Sequence, residues 1–229
     1  MSCAIAIFVK TPALSPVKTR LWPQLGRGKS ERLHLASAAA VRSMVEKSSH
    51  AGTTTGYWAI AEAAELSASH WPGLHHVEQG MGSLGERMAC VYRQLRTHHR
   101  GVILIGADAP QLQSHHLVQM AEWLDSTAPR LGIGRAEDGG FWLFGGNQDL
   151  VESAWTRAHY SRATTSVEFI EAMSGYGDWL ELDILRDIDE ASDIEPVQVA
   201  LASLDAPSAE QRQLCVVLGE LNSAREECL

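Results

Sequence analysis

Gly101-Val102-Ile103-Leu104-Ile105-Gly106-Ala107-Asp108-Ala109-Pro110 is the stretch on which the fold of this chain turns. Four aliphatic residues in a row between glycines are too few for a helix. They have no polar alternation, so they fit a strand covered on both faces. The run stops at a carboxylate and a proline, which places an acid directly beyond the carboxyl end of a buried strand.

On the amino-terminal side the same signature recurs in Ala4-Ile5-Ala6-Ile7-Phe8-Val9, followed by a proline-rich loop and a helical stripe at Leu33, Ala36, Ala40, Val41, Met44 and Val45. Thr53 to Ile60 is rich in β-formers, and His75 to Glu78 reads as a short third strand before the stripe Leu84, Met88, Val91 and Leu95. On the other side, Leu117, Met120, Ala121 and Leu124 predict the next helix. Arg130 to Gly134 and Phe141 to Phe144 read as two strands around a turn at Glu137-Asp138-Gly139-Gly140. A helix through Val167, Ile170 and Met173 precedes a strand over Trp179 to Leu185. From about Glu190 two helices follow, broken near Asp205-Ala206-Pro207. Alternating strands and helices define an α/β fold with a mostly parallel sheet and helices on both faces. No repeat or linker divides it, so a single domain over 1–229 is expected. In such sheets ligands bind beyond the carboxyl ends of the strands, which selects the loops after Val9, Gly106 and Gly134.

Composition narrows the partners. The 229 residues are 45% hydrophobic, enough for a sizeable core, and carry a net charge of −9. That charge argues against a nucleic-acid binder, which needs a basic face. Cys3, Cys90, Cys215 and Cys228 form no close pair and read as thiols of a reducing compartment. The first apolar run is too short for a signal peptide, and no stretch approaches the ~20 apolar residues that cross a bilayer. A cytoplasmic protein with no membrane partner is the expectation.

Against this acidic background the loop Lys10-Thr11-Pro12-Ala13-Leu14-Ser15-Pro16-Val17-Lys18-Thr19-Arg20 stands out. Lysine point charges, a forked guanidinium and threonine hydroxyls are what phosphate oxygens bind. The order is not that of a Walker A loop, and a merely solvated basic loop is the plain alternative. Asp108 could reach Mg²⁺ or Mn²⁺, which favour a few carboxylates plus substrate phosphates; equally it could cap the helix that begins near Ser114. In Glu137-Asp138-Gly139-Gly140 two glycines let a backbone approach a ligand while Asp138 faces it, or simply make a tight turn. Asp187-Ile188-Asp189, with Asp193 behind, offers another metal ligand or acids leading into a helix N-terminus.

Two motifs invite other readings. Gly80-Met81-Gly82-Ser83-Leu84-Gly85 is a literal GxGxxG, but the strand before it is short, polar and not the first of the chain. An NAD(P) site there leaves the basic loop unexplained. The adjacent pairs His75-His76, His98-His99 and His115-His116 point to opposite faces on a strand, lack the i,i+4 spacing of a chelating pair, and suit surface or core positions. Neither HExxH nor GxSxG occurs.

In order, FVKTPALSPVKTRL, QGMGSLGERM, LIGADAPQL, EDGGFWLFGG and DIDEASDI resemble a family of small GT-A-fold transferases over about residues 3–195. Its members are described as glycosyltransferases associated with radical-SAM, selenodomain or arsenosugar gene clusters. More distant relatives are nucleotidyltransferases, including the guanylyltransferases of coenzyme F420 and molybdenum-cofactor synthesis. The resemblance implies that Lys10, Lys18 and Arg20, with Thr11 and Thr19, wrap nucleotide phosphates. It implies that Gln79, Gly80 and Arg87 lie near the base or ribose. Asp108 matches the metal-binding acid, Asp138 falls on the acceptor side as base or orienter, and Asp189 is a second metal contact. Ser15 replaces the usual loop glycine, and Ala107 and Ala109 replace the usual serines. Trp155 to Thr165 also resembles the family, without an assignable role. The implied activity is transfer of a sugar from a nucleoside-diphosphate sugar to a small acceptor, aided by Mg²⁺ or Mn²⁺. The alternatives are nucleotidyl transfer from an NTP with release of pyrophosphate and, of another class, nucleotide binding without turnover.

Overall fold

The computed structural model describes residues 3–49 and 54–226. In chain order, β1 is Cys3–Val9, α1 Trp22–Leu25, α2 Arg27–Ser49, β2 Thr54–Ile60, α3 Ala64–Ser67, β3 His75–Glu78, α4 Leu84–Arg96, β4 Gly101–Gly106 and α5 Ser114–Leu124. There follow β5 Arg130–Ala136, β6 Phe141–Gly146, α6 Glu152–Thr156, α7 Thr165–Ala172, β7 Asp178–Leu185, α8 Ile194–Ala202 and α9 Ala209–Glu226. The strands expected from sequence are present; Thr53, the expected start of β2, lies outside the described residues. The short helices α3 and α6 have too few turns to leave a periodic stripe.

The seven strands among the described residues join one sheet in the order β3-β2-β1-β4-β6-β5-β7. β1 pairs in parallel with β2 and β4, β2 with β3, and β5 with β7, while β6 runs antiparallel to both β4 and β5. Because β6 alone is reversed, the carboxyl ends of β1, β2, β3, β4, β5 and β7 all emerge on one edge. β1 lies inside the sheet between β2 and β4, with Ala4, Ile5, Ala6 and Ile7 at 0% exposure, which is why its sequence is apolar at every position.

One face packs Ile5, Ile7 and Ile103 against Val41 and Met44 of α2 and Leu117 and Met120 of α5. The other packs Leu104, Ile133 and Phe144 against Val91 of α4, Trp155 of α6 and Phe169 of α7. A third cluster joins α2 to the carboxyl-terminal helices through Leu33, Ile194, Leu201, Leu214 and Leu218. At an order of 1.5–3 kcal/mol per fully buried aliphatic or aromatic side chain, these clusters are the main force holding the layers.

Helix starts explain two ambiguous motifs. Ser83 caps α4: its hydroxyl accepts the Glu86 N–H while the Glu86 carboxylate accepts the Ser83 N–H at 2.7 Å, a capping box. Gly85, the third glycine of the GxGxxG, lies where a Cβ would come 2.5 Å from the Trp155 carbonyl oxygen, so it lets α4 meet α6. The glycine motif thus serves local packing. No described helix is long and apolar enough to cross a membrane.

Candidate active site

The loop after β1 folds back over the sheet edge. The Leu14 and Ser15 N–H groups turn onto the Thr11 carbonyl, and buried Val17 and Leu21 anchor the return. Lys18 sits between these anchors in the left-handed region (φ 49°), an uncommon conformation for a residue with a Cβ. That backbone turn sends its side chain inward, where it is 6% exposed. Its ammonium lies 2.8 Å from Asp108 and 3.0 Å from Asp189 and donates to the Ile188 carbonyl. The two carboxylates remain 38% and 37% exposed, so the pair faces the cleft. Burial disfavours the charged form of Lys18, but Asp108 and Asp189 outweigh it and hold its pKa above the ordinary lysine range. Burial likewise works against Asp108, and Lys18 with nearby His34 brings its carboxyl below the usual range.

The loops after β4 and β7 are tied together. The Ile188 N–H donates to the Asp108 carbonyl at 3.0 Å, and the Gln111 amide to the Arg186 carbonyl at 2.6 Å. Asp193 accepts the Asp189 and Glu190 N–H groups and an N–H of Arg186, whose guanidinium also pairs with Glu137. These links bring Asp138, Asp187 and Asp189 together, with one oxygen from each within 4.8 Å of the others. Asp187 is pushed up to about 7, first by burial and then by the charges of Asp138, Asp189 and Asp108. Three oxygen donors crowded this way are a donor set that could hold a hard divalent cation.

Asp138 is held as the first residue of a turn, its Oδ1 accepting the Gly140 N–H at 2.7 Å. Between them Gly139 adopts φ 90°, and a Cβ there would fall 2.0 Å from the Ala163 carbonyl oxygen. Its own carbonyl accepts the Ser166 N–H at 2.8 Å. The segment around Tyr160 to Thr165, without an assignable role in the sequence, is therefore pinned across the mouth of the site.

Two chambers adjoin at this edge. The first, of about 410 Å³, is basic: Lys10, Lys18, Thr19 and Arg20 line it from the β1 loop and Gln79 from the end of β3, with Asp108 and Asp189 beneath. The second, of about 370 Å³, runs under the 160–165 segment and contains Asp138, Asp187 and Asp189 among apolar side chains. Phe8, Arg20, Leu84, Gly106 and Asp189 belong to both.

The residues expected to bind nucleotide divide accordingly. Lys10, Lys18, Thr19, Arg20 and Gln79 converge. Thr11 is 0% exposed; its hydroxyl accepts the Trp71 indole N–H and its backbone N–H donates to Glu62, so it braces the loop from behind. Gln79 spends its amide N–H groups on the Val9 and Ala59 carbonyls, closing the ends of β1 and β2. Gly80 turns with φ 74°, and the Arg87 guanidinium donates to the Gly82 carbonyl; both lie outside the two chambers. The expected cation between Asp108 and Asp189 meets the Lys18 ammonium there, and the acids that gather around Asp189 are Asp138 and Asp187.

Two contributors were missed from sequence. His34, inside the stripe of α2, lines the basic chamber with its Nε2 3.0 Å from the Lys10 carbonyl; burial holds its pKa below the ordinary value. Glu62 supports Thr11. A lone polar residue in an apolar stripe was the only signal for His34. The pair His115 and His116 does gather with Asp183, but the His116 Nδ1 accepts the Gln113 N–H at 3.0 Å. That contact leaves the ring proton on Nε2, toward Asp183, and no lone pair for a metal.

The sheet order, the single reversed strand and the site at the carboxyl edge define a nucleotide-diphospho-sugar transferase-like fold. A solved candidate nucleotide-diphospho-sugar transferase from Desulfovibrio desulfuricans G20 matches with TM-score 0.82 at 21% identity, over 99% of this chain and 98% of that one. A nucleotidyl transferase from Methanothermobacter thermautotrophicus matches at 0.60 and 13%, over 88% and 99%. The CMP:2-keto-3-deoxy-manno-octonic acid synthetase complexed with CTP matches at 0.52 and 12%, over 88% and 99%. No curated protein matches the sequence. Residues 42–166 match the family of uncharacterised proteins conserved in bacteria (DUF2064), and the chain belongs to that family.

Proposed function

We propose that this protein is a single-domain, cytoplasmic, metal-dependent transferase that moves a sugar from a nucleoside-diphosphate sugar to a small acceptor. The observation that carries the reading is the Lys18 ammonium, 2.8 Å from Asp108 and 3.0 Å from Asp189, at the wall between a basic and an acidic chamber. Lys10 and Arg20 hold the diphosphate through charge-assisted hydrogen bonds, and Lys18, kept charged by Asp108 and Asp189 and with its three donors committed to them and to the Ile188 carbonyl, adds positive charge behind them. Asp189, Asp187 and Asp138 would hold Mg²⁺ or Mn²⁺, an all-oxygen set suited to either ion. Such an ion supplies neutralisation of charge on a departing phosphate group. Asp138, at the rim of the second chamber, orients the acceptor hydroxyl and takes its proton.

A second reading, nucleotidyl transfer, is favoured by the fold shared with the nucleotidyl transferase and the CTP-bound synthetase. One fold serves both chemistries. The test is thermal unfolding with UDP, GDP, CTP, GTP, UDP-sugars and NAD, each with and without Mn²⁺, followed by turnover with the ligand that stabilises. At 100 times its Kd a ligand adds about 2.7 kcal/mol, or roughly 5–10 °C here. Release of a nucleoside diphosphate supports glycosyl transfer, and release of pyrophosphate replaces it with the second reading. Binding without turnover of any donor leaves a nucleotide-binding module, and a shift with NAD alone overturns the proposal.

A further inference from the structure

The wall of the second chamber speaks to the kind of molecule that enters it. Phe8, Phe141 and Tyr160 are each only partly buried; they pack on the core beneath α4, α6 and α7 and turn the remainder of their rings to the cleft. Phe141 and Tyr160 are fixed from behind by Phe169, at centroid distances of 4.7 and 6.5 Å. The Tyr160 hydroxyl donates to the Trp155 carbonyl at 2.5 Å, so the chamber meets its ring and not its polar end. Leu84, 46% exposed, adds an aliphatic side chain at the boundary between the chambers.

Charge decides the rest. The polar end of the chamber is formed by Asp138, Asp187 and Asp189, whose oxygens lie within 4.8 Å of one another. An entering phosphate or carboxylate would stand against carboxyl groups that already crowd one another, whereas a hydroxyl donates a hydrogen bond to any of them. Of the two arginines at this chamber, Arg20 already faces Asp189 at 3.5 Å and Arg162 stands on the exposed rim.

We propose that the second chamber seats an uncharged, hydroxyl-bearing acceptor with a flat apolar body, its ring on Phe8, Phe141 and Tyr160 and its hydroxyl toward Asp138. This rests on the transferase reading and deepens it by naming the acceptor class. A matched pair of probes tests it: 2-phenylethanol and 2-phenylethyl phosphate, titrated by saturation-transfer NMR against the wild-type protein in chelator. In chelator Phe141→Ala should weaken the alcohol fivefold or more, while any binding of the phosphate, which the basic chamber can also take, should be unmoved by that variant. Phe141→Leu, which keeps an apolar side chain, should recover most of that loss if the first variant folds poorly. Phosphate binding that Phe141→Ala weakens as much as the alcohol, or alcohol binding that ignores both variants, overturns the proposal. The nucleotide-dependent thermal shift is read on the same samples. If it is present while the alcohol fails, the acceptor class is wrong and the transferase reading stands; if it is absent while the alcohol binds, the reverse holds.

Discussion

The two chambers share a wall but are built differently. The basic one is largely one continuous segment, Lys10 to Arg20, laid over the sheet edge. The acidic, apolar one is assembled from β1, α4, β4, the turn into β6, the 160–165 segment and the loop after β7. A chamber whose cations come from one loop depends on the charges that loop carries. A chamber built from many distant segments depends on the contacts that hold those segments together, so substitutions should act on the two in different ways.

The largest effect should come from Asp189, the one carboxylate that lines both chambers. Asp189→Ala should lower turnover by about 100-fold or more and abolish any Mn²⁺-dependent thermal shift. Asp108→Ala should weaken nucleotide binding about tenfold through Lys18 while the Mn²⁺ shift persists. If the two variants lose the metal shift alike, the division of labour between the chambers is wrong. Next, Gly139→Ala forces a side chain into the Ala163 carbonyl at φ 90°. It should cost roughly 3 kcal/mol, visible as a lower midpoint in urea, and disorder the acidic chamber while leaving nucleotide binding in place.

Asp187 offers a smaller, pH-dependent effect. Its folded pKa, raised from 3.8 to about 7, means the folded state binds more protons than the unfolded one between those values. Stability is therefore lost as pH rises through that window. In chelator, Asp187→Asn should match the wild type near pH 4 and exceed it at pH 8 by about 2 kcal/mol after solvent screening. Melting curves at both pH values check this, and added Mn²⁺ should erase the advantage. Smallest is Ser83→Ala, which removes the α4 cap at about 1 kcal/mol and lowers Tm by roughly 2–4 °C. It should leave both chambers' ligands bound, since neither chamber is lined by Ser83.

The same contrast explains what could be read in advance. The sheet was legible because β1 and β4 are buried on both faces and carry no polar residue, and the edge rule then pointed to Lys18, Asp108 and Asp138. The reversed direction of β6 followed from the short turn at Glu137–Gly140. The use of Lys18 was not legible: a lysine in a basic loop gives no sign that a left-handed turn will bury it between two acids. Thr11 looked like a phosphate ligand because a threonine's sequence does not say which way its hydroxyl faces; here Trp71 claims it. His34 was hidden in a helical stripe, and the aromatic wall came from Phe8 and Phe141, each read as part of a strand, and from Tyr160 in a segment without an assignable role, all far apart in sequence.

One contact made by α9 reaches further than its distance suggests. The Gln211 side chain, 1% exposed, donates to the Pro110 and Leu112 carbonyls at 2.9 Å each, bracing the segment that leaves Asp108. That brace lies beyond residues 42–166, where the family match ends. During synthesis the whole sheet emerges before Gln211 does. The nascent chain can thus complete its strands while the Asp108 loop still lacks one of its ties, so assembly of the cleft finishes only as the last helix docks.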